Sequence, residues 1–469
     1  AQDNQLGAAT DVRLLGASST LDLNGRAASI GQLAAAGGAI VTGAGILTLG
    51  GNISVAAGSS STSVTGVLSW TNASHSIVVA DGSAADDVAI SASMLGGGAV
   101  TSLSKTGPGL VALAGSGSFG GAVNVNFGVV DVRNSTALGV ADGTTANGTT
   151  VAAGATLRIS TGSSGDVIVG NELLSLSSGA LGSGTSLTDL TAVPLDVLGG
   201  ANEWSGDVMM ATAAAAGGVT PIQVAGGSSM KLSGVVRQVG AAPVGVRLSG
   251  AGTVEFSGAN ANSYEGSTYV TSGMLRLSKT ASMAVPGDVA AGTALVIGDL
   301  STGGAASVVL TAGAGEQIAD GVHVSVLAGS SLALSGTNET IGRLTVQAGT
   351  SSSSTIMQAG GRLTLGGNLY VGKSGTGAVG VVIPGPINLG SASREFNVVD
   401  GAAAIDLQID GTISGASGID LTKQNSGTLR LPTGVTETYA GMTTANQGEL
   451  IVDATLSASS FVDVNRTAT

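Results

Sequence analysis

Residues 103–132 read LSKTGPGLVALAGSGSFGGAVNVNFGVVDV, short apolar alternations each stopped by glycine or Gly-Pro. Two looser copies follow, LSGAGTVEFSGANANSYEGSTYVTSGMLRL from Leu248 and LTKQNSGTLRLPTGVTETYAGMTTANQGELIV from Leu421. In each, a β pair comes first (Leu110 and Ala112 with Leu103; Val254 and Phe256; Leu429 and Leu431). A polar turn with one aromatic follows (Phe119, Tyr264 or Tyr439), then a second pair. Alternation with period two predicts strands, and a unit that recurs predicts stacking, because one turn cannot bury its own apolar side. Each copy therefore reads as slightly more than one turn of a parallel β-solenoid.

The rest of the chain obeys a longer repeat. Leu21 and Leu33 in TDVRLLGASSTLDLNGRAASIGQL return as Leu332 and Leu344 in GVHVSVLAGSSLALSGTNETIGRL. The phrase LTLGGN at 47–52 returns at 363–368, and Leu103 returns as Leu421. Whole modules thus recur after about 310 to 320 residues. The expected organisation is one continuous β-helix over residues 1–469, with repeat modules about 10–160, 247–300 and 321–455. Residues 165–246 read as a less regular insertion or as degenerate rungs. At roughly 20 to 25 residues per turn there are about 20 rungs, and stacking at about 4.8 Å gives an elongated rod. Asn-Gly and Asp-Gly pairs, such as Asp81-Gly82 and Asp400-Gly401, keep an antiparallel alternative open, but they also serve as solenoid corners. MMATAAAAGG from Met209 is the best helical candidate and is short.

Composition fits that reading. Glycine supplies 78 of 469 residues, more than twice its usual share, and supplies the backbone conformations that sharp corners need. Aromatics make up 2% and charged residues 10%, while 43% hydrophobic content is enough for a thin interior of Ala, Val, Leu and Ile. With a mean hydropathy of +0.43, disorder is excluded. Every apolar segment is cut within roughly eight residues, so there is no transmembrane segment of the helical kind. Net charge is −13, with neither a Lys/Arg run nor basic residues interleaved with aromatics, and nucleic acid is excluded as a partner. Cysteine is absent, which suits export through a periplasm. The polar start and the unfinished turn at 460–469 read as ends of a longer protein, or as edges that a neighbouring subunit covers.

The three copies resemble the passenger-associated transport repeat of bacterial autotransporter passenger domains, whose pattern is Lys-Thr-Gly-x-Gly, Leu-x-Leu-x-Gly, Asn-x-Tyr-x-Gly and a closing Gly-x-Leu. The first copy carries Lys105, Thr106, Gly107, Gly109, Leu113, Gly115, Gly120 and Val130. The second has Gly252, Phe256, Gly258, Asn262, Tyr264, Gly266, Gly273 and Leu275. The third has Lys423, Gly427, Leu429, Leu431, Tyr439, Gly441, Gly448 and Leu450. Phe119 stands in place of the tyrosine in the first copy, and Pro432 interrupts the third. The resemblance implies a right-handed parallel β-helix exported to the outer face of a Gram-negative cell. A translocator barrel would show about a dozen alternating strands with aromatic girdles, and the stretch in hand shows none.

Residues with chemical potential are sparse. His75 and His323 lie in different modules, and both read as exposed; His323 points outward between Val322 and Val324. Without a Gly-x-Ser-x-Gly elbow, no Ser-His-Asp triad is predicted. Paired carboxylates suited to glycan cleavage are Asp86 with Asp87, and Asp406 with Asp410 and Asp420; Asp406 and Asp410 read as a solvated strand face. A polysaccharide groove also needs aromatic platforms beside Arg or Lys, and the aromatics are scattered along the chain. Neither a calcium-binding nonapeptide array nor a zinc cluster is present, and no cofactor is expected. Trp70 and Trp204 read as cap or loop packing residues. Sequons at Asn52, Asn72, Asn134, Asn147, Asn338 and Asn465 read as chance matches.

These features predict a non-enzymatic surface protein, a β-helical stalk acting in adhesion, aggregation or fibre structure. Its partners are surface glycans or proteins, or further copies of itself. The rivals are an end-to-end extracellular filament and a β-helical polysaccharide lyase or hydrolase. The aromatics Phe119, Tyr264 and Tyr439, together with the repeat turn residues, are expected to keep successive rungs in register.

Overall fold

A computed structural model describes residues 2–71, 74–96, 102–162, 165–178, 193–212, 218–280, 283–287, 292–299, 305–311, 313–456 and 461–465. Among these there is no helix, and every ladder between strands is parallel. The architecture is the β-solenoid that the repeats predict. Contacts divide the chain into two units, residues 1–244 and 245–469.

In the first unit a ten-stranded ladder runs from Val12–Leu14 to Val236–Gln238. A second ladder starts at Thr20–Asp22 and reaches Gly218–Val224. A short third one joins Ile168–Val169, Ala201–Trp204 and Ser229–Leu232. The second unit repeats the plan. One ladder runs from Val244–Ser249 to Val462–Val464, another from Thr253–Phe256 to Thr355–Met357, and a third from Glu339–Ile341 to Ile413–Ser414.

The core follows from register. Parallel pairing places like positions of successive turns on top of one another, so one inward position becomes a column. Leu33, Ile53, Ile77, Lys105, Val125, Val151, Leu176 and Met210 form such a column in the first unit. Each buried aliphatic member contributes roughly 1.5–3 kcal/mol, and β-branched side chains fit this flat stacking well.

Several details depart from expectation. In the first copy Val111 and Leu113 are the inward pair, while Leu110 is half-buried and faces away. Ala112 is also buried, so both frames of this strand look apolar in sequence. For 165–246, where an insertion or degenerate rungs were the alternatives, the described strands pair in parallel as rungs do, and residues 179–192 lie outside the described set. Met209 sits in the strand Val208–Thr212, with the alanine run at 213–217 outside the described residues. Trp70 and Trp204 are the last residues of their strands and are buried in the core, 1% and 0% exposed, not loop caps.

Candidate functional site: the repeat corners and the outward face

The three repeats turn on the same backbone conformation. Gly107, Gly250 and Asn425 occupy equivalent places and have φ of 79°, 88° and 63°. One rung later Gly128, Gly273 and Gly448 have φ of 75°, 70° and 69°. At these three a Cβ would lie 2.4–2.7 Å from carbonyl oxygens of the preceding corner, so only glycine fits. Gly109 and Gly427 are required by crowding, since a Cβ would meet Oδ2 of Asp87 at 2.7 Å and of Asp406 at 2.8 Å. Gly252 is buried in the same place, and its carbonyl lies 2.5 Å from the missing Cβ of Gly273. Gly441 packs on the Ile419 carbonyl, Gly266 is half-buried before the strand Thr268–Val270, and Gly120 is open, its neighbour Gly121 taking the positive φ of 107°.

A buried cation distinguishes two of the copies. Lys105 and Lys423 are 2% and 1% exposed and sit within aliphatic columns, Lys105 between Ile77 and Val125, Lys423 between Phe396 and Ala445. Lys105 Nζ donates to the carbonyls of Gly107 at 2.7 Å and Phe127 at 2.9 Å. Lys423 Nζ donates to Gln424, Asn425 and Gln447. In the second copy Leu248 holds this register position, and the Ser272 hydroxyl donates to Gly250 O at 3.1 Å instead. An aspartate lies near each lysine. Asp87 accepts from the amides of Gly82 and Leu110, and Asp406 from those of Gly401 and Thr428, all at 2.8 Å. Burial lowers both ammonium pKa values to about 8, while the aspartates pull them upward.

The aromatics fill the next corner. Phe119, Tyr264 and Tyr439 are 0%, 1% and 0% exposed. Each tyrosine hydroxyl meets a threonine four residues on, Tyr264 with Thr268 and Tyr439 with Thr443, both at 2.7 Å. In the first copy the pair is Phe119 and Val123, with no polar atom to satisfy. Burial pushes the Tyr439 phenol up to about 12.

Most of the groups considered for catalysis are occupied structurally. His75, expected exposed, is 3% exposed, tilted against Trp70 with ring centroids 5.1 Å apart. Its Nδ1 lies 2.9 Å from Gly51 O and its Nε2 3.1 Å from Thr71 O, so the ring ties a corner rather than facing solvent. Arg394, in the matching place of the later module, donates Nε to Leu365 O and Leu389 O. Asp406, expected on a solvated face, is 0% exposed because its two amide donors turn the carboxylate into the corner; Asp410 is exposed. Asp86 is paired bidentately with Arg133 at 2.6–2.7 Å, and Asp420 accepts from Met442 N. His323 is half-buried between inward Val322 and Val324, and burial with nearby Arg343 lowers its pKa. Asn52, Asn147 and Asn338 accept backbone hydrogens from adjacent rungs, and Asn72 lies outside the described residues.

Three buried glutamates escaped the sequence reading. Glu339 takes the amides of Gln317 and Ile318, Glu437 that of Ile413, and Glu172 the Thr149 hydroxyl. Burial raises their pKa values to about 8, 7 and 7. Among the described residues no group of three or more His, Cys, Asp or Glu could hold a metal. Amide-capped carboxylates and carbonyl-bound ammoniums make good corner pins and poor acid–base pairs, because neither presents a free proton site to a substrate.

The outward face of the second unit's long ladder differs in kind. Register aligns Arg247, Tyr269, Val296, Ser325, Thr345 and Tyr370 in one outward, half-buried column. His323, Arg343 and Asn368 stand in the adjoining column. Arg343 lies over the Tyr370 ring, 5.3 Å from its centroid. Aromatics scattered in sequence are thus gathered by stacking.

Comparison with known proteins agrees with the corners. Residues 103–132, 247–277 and 421–452 match the passenger-associated-transport-repeat family. Over 272 residues the chain is 29% identical to the adhesin BmaC autotransporter of Brucella suis biovar 1 (strain 1330), covering 49% of this chain and 8% of that protein. The chain thus spans less than a tenth of the length of the relative it matches. No solved structure matches it. Repeats, solenoid and relative converge: the chain carries three passenger-associated transport repeats and has the features of an autotransporter passenger domain, the part that is carried to the cell surface of a Gram-negative bacterium.

Proposed function

We propose that this passenger acts by binding and not by catalysis, as an adhesive surface module. The observation that carries this reading is the occupation of its acid–base groups: His75, Asp87, Lys105, Asp406 and Lys423 all serve rung corners. The similarity to an adhesin supports it. On this reading the repeat corner residues have an architectural role, fixing register so that outward side chains of successive rungs stand at constant spacing. Such a surface gains strength by summing many weak contacts. The test is display of the chain on a non-adherent bacterium. Adhesion to cultured epithelial cells should rise several-fold over an empty display scaffold, and purified chain should compete. Unchanged adhesion, or release of reducing sugar from a glycan panel by the purified chain, would overturn the reading.

A further inference from the structure

We propose that the outward face carrying Tyr269, Tyr370 and Arg343 binds a uronic-acid-bearing glycan; the inference deepens the adhesive reading and rests on it for biological purpose alone.

The argument begins with the tyrosines. The chain has four. Tyr264 and Tyr439 are buried and hydrogen-bonded to threonines, whereas Tyr269 and Tyr370 are half-buried, face outward and have no hydroxyl partner among the described residues. They share one column. From Tyr269 the register passes through Val296, Ser325 and Thr345 to Tyr370, four rungs or about 19 Å. Outward tyrosines on a rigid sheet present an apolar body with a polar tip, a surface that suits the C–H groups and hydroxyl rim of a sugar ring.

Charge narrows the ligand. The chain carries −13 overall, yet an arginine precedes each outward tyrosine by one rung. Arg247 pairs in register with Tyr269, and Arg343 sits on the Thr345 rung and covers Tyr370. Arg343 is exposed, has no carboxylate within ion-pair distance among the described residues, and is oriented by the ring beneath it. Its free fork of N–H donors matches a carboxylate bidentately. Arg247 is half-buried beside Asp299, which leaves Arg343 as the guanidinium this face offers to a ligand. A single exposed fork fits one carboxylate at a time along a uronate chain, whereas a densely sulfated polymer calls for clustered cations. Ser325 and Thr345 lie between the two tyrosines and supply hydroxyls for sugar hydroxyl groups.

The whole chain is tested by calorimetry against polygalacturonate oligomers, with heparin oligosaccharide and neutral dextran as the other arms. Binding of the polygalacturonate probe is expected, weakening with salt. Arg343→Gln should reduce affinity about tenfold or more, as loss of a charge-assisted contact does. Tyr370→Ala and Tyr269→Ala should each reduce it several-fold, with the circular-dichroism spectrum unchanged and the denaturant midpoint lowered only slightly, because these side chains face outward and are half-buried. Equal affinity of the variants, absence of polygalacturonate binding, or tighter binding of heparin or dextran would overturn the proposal. The adhesion assay reads separately. Loss of polygalacturonate binding in Arg343→Gln with adhesion intact supports this site and moves adhesion elsewhere; binding by the purified chain with no adhesion on display supports the site and defeats the adhesive reading.

Discussion

The first and third repeats bury a lysine where the second buries Leu248, yet all three make the same turn with a left-handed residue and the same glycine one rung later. What is constant across the copies is backbone geometry, and what varies is how one corner carbonyl is satisfied. Gly107 O takes Lys105 Nζ, Asn425 O takes Lys423 Nζ, and Gly250 O takes the Ser272 hydroxyl. An ammonium reaches several carbonyls at once but must be desolvated, and it brings an amide-capped aspartate with it. A hydroxyl serves one carbonyl and needs no counter-charge. The solenoid therefore tolerates two polar solutions to one corner, and the copies differ in how they respond to pH.

The largest consequence is a stability trough. The fold raises the pKa of Glu172, Glu339 and Glu437 from 4.5 to about 7, 8 and 7, so it binds more protons than the unfolded chain above pH 4.5. Their contribution is full below about 4.5 and is lost as pH rises through about 8. The lysines act with the opposite sign. Lys105 and Lys423 are lowered from 10.5 to about 8, so the unfolded chain binds more protons between those values and stability returns as pH rises from about 8 to 10.5. Denaturant midpoints measured from pH 4.5 to 10.5 should pass through a minimum near pH 8. Glu339→Gln should flatten the acid limb, and Lys105→Met with Lys423→Met the alkaline one. A midpoint that stays level from pH 4.5 to 8 would sink the assignment.

How much of this was readable beforehand depends on range. The solenoid, its repeats and the corner glycines were legible because period-two alternation and the spacing of GxG and the aromatic are local signals. The strand phase at Leu110 was not, because Ala112 is small enough for either face. His75 and Asp406 were misread because their partners, Gly51 O and the Thr428 amide, lie one rung away in space and more than 20 residues away in sequence. The buried glutamates were invisible for the same reason. So was the Tyr269–Tyr370 column, since its members are four rungs apart and only parallel register brings them onto one face.

A smaller effect comes from exchanging the two corner solutions. Lys423→Met leaves the carbonyls of Asn425 and Gln447 without their donor and Asp406 without a nearby cation. The expected loss is about 2–3 kcal/mol by denaturant unfolding. The reverse change, Leu248→Lys, adds an ammonium where Ser272 already serves Gly250 O. It should cost at least as much, because the desolvation is unrelieved. If Leu248→Lys proved neutral, the corner would be accommodating charge by itself and the contrast between the copies would have no energetic content.

The finest test uses the aromatic corner, where the first copy already contains the answer for the third. Tyr439 and Thr443 satisfy each other's hydroxyls in a buried site, and Phe119 with Val123 fills the equivalent site without any polar atom. Tyr439→Phe removes the phenol's hydrogen bond with Thr443, and Thr443→Val removes the threonine side of the same bond; each should cost about 1–2 kcal/mol. The double variant recreates the Phe/Val pair and should recover most of that loss, with a coupling of about 1 kcal/mol or more. Full additivity would mean that the hydroxyl pair is independent of the packing around it. Recovery would mean that the corner needs a filled volume and paired polar atoms, and is indifferent to whether any polar atoms are there.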